Sequence, residues 1–191
     1  MPLLMKTLLA NRWLTAPLLI RQMGNEGTTN AMIRTTTAPT IISGGVKDNV
    51  LPSTAMAKVN FRILPGDTPA SVEDQVRKII NDERIHIKPS EADISEMPSA
   101  VSPTSALGYQ VIEQTIREIF PNAYVAPALV IGATDSRHYK DISPNIYRFL
   151  PIQITRADLT GFHGKNERIS IENYERTIRF YKQLIVNGDK G

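Results

Sequence analysis

The stretch Ser53-Thr-Ala-Met-Ala-Lys-Val-Asn-Phe-Arg-Ile63 alternates between apolar and polar side chains and decides the first part of the fold. One face carries Ala55, Ala57, Val59, Phe61 and Ile63, and the opposite face carries Met56, Lys58, Asn60 and Arg62. Such alternation is typical of a β-strand that buries one of its two faces. We therefore predict a strand over residues 53–63 with its apolar face turned toward a core.

The residues that follow predict a turn, a helix and a further strand. Pro65-Gly66 ends the first strand, after which Thr68 suits a helix N-cap and Pro69 suits the first helical position. An apolar stripe then recurs at helical spacing, formed by Val72, Val76, Ile79 and Ile80. Arg84–Lys88 alternates again, which predicts a short strand.

The leucine-rich residues 1–20 predict a helix, or a broken helical pair, that is partly buried. Lys6, Asn11, Arg12 and Pro17 interrupt this segment, so it is too short and too polar for a membrane span. A signal peptide or membrane anchor is the alternative interpretation.

The order of elements predicts a ferredoxin-like arrangement for the first half of the chain. Gly24–Asn30 is predicted to be a polar loop, and Ala31–Ile42, rich in Thr and Ile, is predicted to be a strand that Gly44-Gly45 ends. Helix, strand, strand, helix and strand make most of a split β-α-β unit. The one strand that this unit lacks would have to precede residue 1.

The second half predicts an α/β layer. Pro89–Pro103 has the composition of a linker, and Ser105 opens an amphipathic helix. Tyr124–Ile131 is almost continuously apolar, which predicts a strand buried on both faces, as in a helix-covered parallel sheet. Ile146–Leu150 predicts a second such strand, and Ser170 caps a final helix.

Composition excludes several classes of function. The 191 residues are 41% apolar and 21% charged, as in an ordinary globular protein. The net charge of +3 is spread over scattered Lys and Arg residues, so nucleic-acid binding is not expected. The chain has no cysteine, so any metal would be held by His, Asp and Glu. Nothing in the composition indicates a cellular compartment.

Gly161-Phe-His-Gly-Lys-Asn-Glu-Arg-Ile-Ser170 is the stretch that most resembles a functional site. It places His163 between glycines that let other groups approach closely, directly before a capped helix. Histidine is a frequent metal ligand and general base. The alternative is an ordinary loop histidine.

Two further groups of residues are candidates for binding an anion. Gly132–Tyr139 follows an apolar segment, where α/β proteins bind ligands, and a short helix is predicted to start near Asp135. Arg137 could pair with a carboxylate, or be a plain surface cation. Arg62, on the polar face of its strand, and Asn49, in a turn, could converge on an anion, or be solvated and turn-forming residues respectively.

Three blocks of the chain together resemble a known family. Arg34–Pro52 running into Val59–Asp67, Gly132–Tyr139 and Gly161–Ser170 are similar to the dinuclear-zinc aminoacylase and carboxypeptidase family of metallopeptidases. The closest likeness is to its carboxypeptidase S and N-acyl-amino-acid hydrolase branch. The resemblance implies an α+β lid, ferredoxin-like and dimerising, at residues 1–97, and the C-terminal part of the zinc-binding α/β sandwich domain at residues 98–191.

The resemblance also implies roles for individual residues. His163 corresponds to a zinc ligand, and Glu167 to a group that orients the His163 loop. Asn49, Arg62 and Thr134 correspond to groups that hold the substrate carboxylate or the tetrahedral intermediate, and Arg137 is a weaker candidate of that kind. The family's general base and its other metal ligands belong to an N-terminal half that this chain does not match.

The function implied is that of the C-terminal portion of a zinc-dependent hydrolase, which cleaves peptide or N-acyl-amino-acid amide bonds beside a free carboxylate and forms a homodimer through the lid. Because one histidine cannot hold two zinc ions, we expect this chain alone to bind zinc weakly at most and to be inactive. His86 and His138 have no partners at metal-ligand spacing. The alternative is an inactive dimerising or binding module derived from the family.

Overall fold

A computed structural model describes residues 3–90, 97–159 and 161–189 of the chain. It divides into two compact units, the first formed by Met1–Ala100 with Leu129–Gly132 and the second by Val101–Ala128 with Ala133–Gly191. The regular secondary structure of the described part consists of helices and one small antiparallel sheet, as expected for a mixed α/β chain with an α+β lid.

The first unit opens with three helices, α1 (Leu3–Ala10), α2 (Arg12–Gly24) and α3 (Gly27–Ala31). The broken helical pair is thus confirmed, and the buried Thr15 hydroxyl ties the two helices by donating to Leu8 O at 2.8 Å. The prediction of a partly buried helix is wrong around Trp13, which is 81% exposed. The predicted polar loop is also wrong in part, because α3 forms within it.

No helix in the part of the chain that the structure describes is long and apolar enough to cross a bilayer.

Strands β1 (Thr36–Ser43) and β2 (Met56–Arg62) form an antiparallel hairpin in which Thr36 lies opposite Arg62 and Ser43 opposite Met56. β1 begins later than predicted because α3 already occupies the chain as far as Ala31. The register shifts between Pro39 and Ile41. Proline has no N–H to donate to a partner strand, and it is therefore found at irregularities of this kind.

Helix α4 (Pro69–Ile80) confirms the predicted cap. Thr68 Oγ1 accepts from Ser71 N at 3.0 Å, and Ser71 Oγ accepts from Thr68 N at 2.9 Å, so two otherwise unpaired amides are satisfied. The helix ends at Asn81, whose φ of 45° is left-handed.

The strand predicted at Arg84–Lys88 is absent from the described residues, and that prediction is wrong. Arg84 N donates to Asp82 Oδ1 at 3.0 Å, and Ile85 N donates to Asp82 O at 3.1 Å. These local bonds turn the chain directly after α4, and among the described residues no strand pairs with residues 84–88. The predicted apolar faces of β2 and α4 are also open, since Val59 is 41% and Ile79 is 73% exposed.

The second unit is built on α5 (Leu107–Ile119) and α7 (Ile171–Gly188), which pack against each other, with a short α6 (Arg156–Leu159) before α7. Its buried apolar residues include Ile116 and Phe180. The predicted cap of α7 is confirmed, because Ser170 Oγ accepts from Asn173 N at 3.2 Å. Helix α5 instead begins after Ala106, which makes no side-chain cap.

Neither apolar run of the second half forms a strand. Tyr124–Ile131 and Ile146–Leu150 are irregular, so both strand predictions are wrong for this structure. A strand exists only where a neighbour takes its backbone hydrogen bonds. Among the residues described, no strand lies beside either run, and the only sheet there is the β1–β2 hairpin.

Candidate functional site

The loop Gly161–Ser170 is held at both of its ends. Upstream, the Asn173 side chain donates to Gln153 O at 3.0 Å and accepts from Gln153 N at 2.9 Å, which fixes the approach to α6 against the first turn of α7. Gly161 N then donates to Asp158 O at 3.1 Å. The downstream end is fixed by the Ser170 cap. The loop is therefore a defined turn between two helices.

The Asp158 carboxylate stabilises the start of α6. Its Oδ2 accepts from Thr155 N at 2.8 Å and from Thr155 Oγ1 at 2.7 Å. These two hydrogen bonds, assisted by the charge of Arg168, lower the pKa of Asp158 below its ordinary value.

Within this loop His163 and Asn166 have left-handed backbones, with φ values of 58° and 62°. Such values are uncommon for residues other than glycine, although His and Asn adopt them more readily than most. The His163 ring stands edge-on to Phe162 at 5.3 Å, and its imidazole nitrogens have no hydrogen-bond partner in the described residues. His163 is also exposed, so both nitrogens are accessible to a ligand.

The residues that the structure describes do not by themselves form a zinc site. A zinc ion takes about three or four nitrogen, oxygen or sulfur ligands from the protein. No three His, Asp or Glu side chains converge within the described ranges. His163 fits one position in such a ligand set, and no metal-dependent step can be derived from this chain alone.

Glu167, the residue expected to orient the His163 loop, makes no hydrogen bond to His163 among the described residues. Its side chain is exposed. The orienting role of Glu167 remains a prediction.

The second candidate segment contains the short helix that was predicted to start near Asp135. It is a 3-10 helix, Asp135–Tyr139, preceded by Thr134 in an extended conformation. Thr134 Oγ1 and Ser136 Oγ lie 2.5 Å apart, and Arg148 Nε donates to them at 3.1 Å and 2.7 Å. The structure thus joins Thr134 to Ser136 and Arg148.

The predictions from sequence missed Arg148. The sequence feature that could have identified Arg148 is its position as a single cation inside the apolar run Ile146–Leu150, where a charge needs a polar partner. Arg137, in contrast, was a predicted site residue, and its Nε donates to His138 Nε2 at 3.3 Å while its side chain is exposed. A role for Arg137 in binding a carboxylate remains a prediction.

Asn49 and Arg62 both lie in the first unit, but the structure does not join them. Asn49 lies in the exposed loop that connects β1 to β2, within a turn closed by Val50 N donating to Lys47 O at 3.4 Å. Arg62 is the last residue of β2, and the loop that contains Asn49 leads into the first, Met56. At a rise of ~3.3 Å per residue, the two ends of this strand are about 20 Å apart. Its Nη1 instead donates to Ile131 O at 2.5 Å.

Comparison with known proteins identifies the class of this chain. Residues 4–88 match the family model described as the peptidase dimerisation domain. The chain is 43% identical over 189 residues to the human N-fatty-acyl-amino acid synthase/hydrolase, covering 98% of this chain and 38% of that protein. It is 40% identical over 183 residues to the probable carboxypeptidase S-like 2 of Dictyostelium discoideum, covering 96% and 35%. No solved structure matches it.

More distantly, it is 30% identical over 197 residues to carboxypeptidase S of Saccharomyces cerevisiae, covering 88% of this chain and 34% of that protein. By name these relatives are an N-fatty-acyl-amino acid synthase/hydrolase, a carboxypeptidase S and a probable carboxypeptidase S-like protein. The chain belongs to peptidase family 20, in the branch that contains carboxypeptidase S and the N-acyl-amino-acid hydrolases. It matches the C-terminal part of these relatives and spans about a third of their length.

Proposed function

We propose that this chain supplies the lid and the C-terminal part of the catalytic domain of a zinc-dependent hydrolase. Its substrates would be peptides or N-acyl amino acids, cleaved at an amide bond next to a free carboxylate. The names of the relatives support this substrate class. The observation within the chain that carries the proposal is the backbone conformation and the exposed, unpaired imidazole of His163 in the described structure.

Three observations at His163 support its proposed role as a metal ligand. Its backbone has a left-handed φ of 58°, a conformation that costs free energy and is often found at functional sites. Its loop is held between α6 and α7 by the Asn173 and Ser170 side chains. Its imidazole is exposed and unpaired within the described residues, so a zinc ion would not have to displace an existing hydrogen bond.

The substrate carboxylate would be bound by donors of this chain. Arg62 uses Nη1 to contact Ile131 O, and its other N–H groups have no partner among the described residues. A guanidinium has five N–H donors, so Arg62 can be anchored and still bind an anion. Asn49, Thr134 and Arg137 are proposed to contribute further donors, with Arg137 the weakest of the three.

We further propose that the complete protein is a homodimer joined through the lid. The match of residues 4–88 to a dimerisation domain supports this assembly. Apolar side chains that are open in the first unit, such as Val59 and Ile79, support it also, since exposed apolar area favours association.

Zinc titration of the purified chain, followed by nuclear magnetic resonance of its three histidines, tests the proposal. We expect the His163 imidazole signals to shift at lower zinc concentration than those of His86 and His138. His138→Ala is the matched control and should leave the His163 response unchanged. A response of His163 no stronger than that of the other two histidines would remove it as a zinc ligand.

A second measurement concerns activity and assembly. We expect the 191-residue chain to lose zinc on dialysis, not to hydrolyse an N-acyl amino acid, and to have the mass of a dimer or larger species in solution. Tightly bound stoichiometric zinc, with turnover that His163→Ala abolishes, would show that the chain contains a complete site that the described residues do not reveal.

A further inference from the structure

Arg148 and the hydroxyls of Thr134 and Ser136 form a hydrogen-bonded cluster. The donors and acceptors of its two hydroxyls can be counted. Arginine only donates, so both hydroxyl oxygens accept from Arg148 Nε, at 3.1 Å and 2.7 Å. The oxygens are also 2.5 Å apart, so one hydroxyl donates to the other. Each hydroxyl has a single hydrogen, and one hydroxyl hydrogen of the cluster therefore remains for a group outside it.

Either hydroxyl can be the donor between the two, and the exposed member of the cluster is the better placed to offer the remaining hydrogen to an outside group. Thr134 is exposed, whereas Ser136 and Arg148 are half-buried. If Ser136 donates to Thr134, the Thr134 hydroxyl donates outward from beside a positive charge. A hydroxyl that already accepts from a guanidinium has less capacity to accept again, so the cluster is suited to an anionic acceptor.

The segment that carries Arg148 is fixed at the positions around it. Ser102 Oγ accepts from Ile146 N at 2.8 Å, and Tyr147 Oη donates to Pro103 O at 2.6 Å. The Phe149 ring lies 5.0 Å from that of the buried Phe180 in α7. Both neighbours of Arg148 are anchored by their side chains, which holds its backbone, and the bonds to Thr134 and Ser136 hold its Nε.

We propose that Arg148 is a positioning residue, which holds the Thr134 hydroxyl in the orientation that donates a hydrogen bond to the carboxylate of the substrate. This inference rests on the proposed function, because it assigns Thr134 to the recognition of that carboxylate. Arg148 acts through Thr134 and Ser136 and does not itself touch the substrate.

The orientation of Thr134 can be measured in the full chain from the scalar couplings that report its χ1 angle. We expect one rotamer in the wild type, averaging over several rotamers in Arg148→Met, and partial recovery in Arg148→Lys, which keeps the charge but not the planar fork. Arg117→Met removes an arginine that pairs with Glu113 in the same unit, and should leave Thr134 unchanged. A single Thr134 rotamer in Arg148→Met would overturn the proposal.

Titration with N-acetyl-phenylalanine and with its primary amide tests recognition of the carboxylate. We expect the Thr134 methyl signal of the wild type to respond to the acid and not to the amide. The acid should bind roughly 10-fold more weakly to Arg148→Met, because the Thr134 hydroxyl would no longer be held for its hydrogen bond to the carboxylate. Equal responses to acid and amide in the wild type would overturn the carboxylate role of Thr134 in the proposed function, whereas the rotamer measurement judges Arg148 separately.

A reciprocal measurement applies if Arg148→Met does not fold. Thr134→Val and Ser136→Ala each remove one hydroxyl while keeping Arg148. Each should shift the Arg148 Nε–H signal, and Thr134→Val should also abolish the preference for the acid. An unchanged Nε–H signal in both variants would contradict the cluster and the proposal with it.

Discussion

The side-chain amide of Asn187 in α7 donates to Thr115 Oγ1 in α5 at 3.0 Å, and these side chains are only 5% and 0% exposed. Asn187 Nδ2 also donates to Glu118 Oε2 at 3.0 Å, and Asn187 Oδ1 accepts from Gln183 Nε2 at 3.0 Å. Thr115 Oγ1 in turn donates to Val111 O at 2.7 Å. The packed helices α5 and α7 of the second unit are thus joined by buried polar side chains, and Asn187 and Thr115 both have hydrogen-bond partners there.

Thr115→Val is expected to destabilise the second unit by about 1–3 kcal/mol, because it removes one acceptor from the buried Asn187 amide at nearly constant volume. Urea unfolding measures the change. Thr177→Val in α7 is the matched control and should cost less, since within the described ranges the Thr177 hydroxyl bonds to Asn173 O of its own helix and to no other element. Equal losses in the two variants would show that the link between the helices contributes nothing of its own.

Gly108→Ala is expected to destabilise the protein although alanine favours helices by about 0.5–1 kcal/mol. A Cβ at position 108 would lie 3.1 Å from Tyr147 Cε2, and Tyr147 is held by its bond to Pro103. Gly188→Ala, where a Cβ meets no atom within 4 Å, is the control and should be neutral or stabilising. Thermal unfolding of both variants tests this, and a Gly108→Ala protein as stable as Gly188→Ala would mean that the Tyr147 ring moves aside freely.

Thr155→Val is expected to raise the pKa of Asp158 toward its ordinary value, since both hydrogen bonds that lower it involve Thr155 and only the backbone one remains. A lowered folded pKa contributes stability that is present above the unfolded pKa and is lost as the pH falls through the folded value. The wild type should therefore lose this contribution below about pH 4, and the variant should have less to lose. Carboxyl carbon shifts recorded against pH measure the pKa directly, and an identical titration in both proteins would contradict the assigned cause.

Arg62→Ala, in the assembled hydrolase, is expected to lower kcat/KM for carboxylate-bearing substrates by about 2–4 kcal/mol of transition-state stabilisation. The loss should be much smaller for the corresponding amides, which have no charge to bind. Lys58→Ala removes a cation from the same face of β2 and serves as the control. A wild-type enzyme that uses acids and amides equally well would leave Arg62 without this role.

The elements that the sequence predicted well are those whose stabilising contacts are local. Two helices are capped by side chains within three residues of their partners, Thr68 with Ser71 in α4 and Ser170 with Asn173 in α7. The starts of both helices could therefore be predicted from adjacent residues in the sequence. The alternation of apolar and polar side chains in β2 could likewise be read within one short segment, although the strand itself pairs with β1. Residues 124–131 and 146–150 were predicted as strands from apolar runs alone, and such runs need a partner strand that no local pattern supplies.

The same distinction applies to the candidate site. The His163 loop was predictable because glycines, a histidine and a helix cap lie together in ten residues. The link from Arg148 to Thr134 spans fourteen positions, and it depends on how residues 146–150 are anchored by Ser102 and α7. Only the folded chain brings those groups together.

The left-handed backbone of His163 restricts which side chains can stand there. A φ near 58° brings Cβ close to the backbone in every residue except glycine, and Asn, Asp and His adopt it several-fold more often than other residues do. Of those four, only His and Asp are ordinary zinc ligands. The backbone conformation and the chemistry of zinc binding thus restrict position 163 independently, and His and Asp satisfy both most readily.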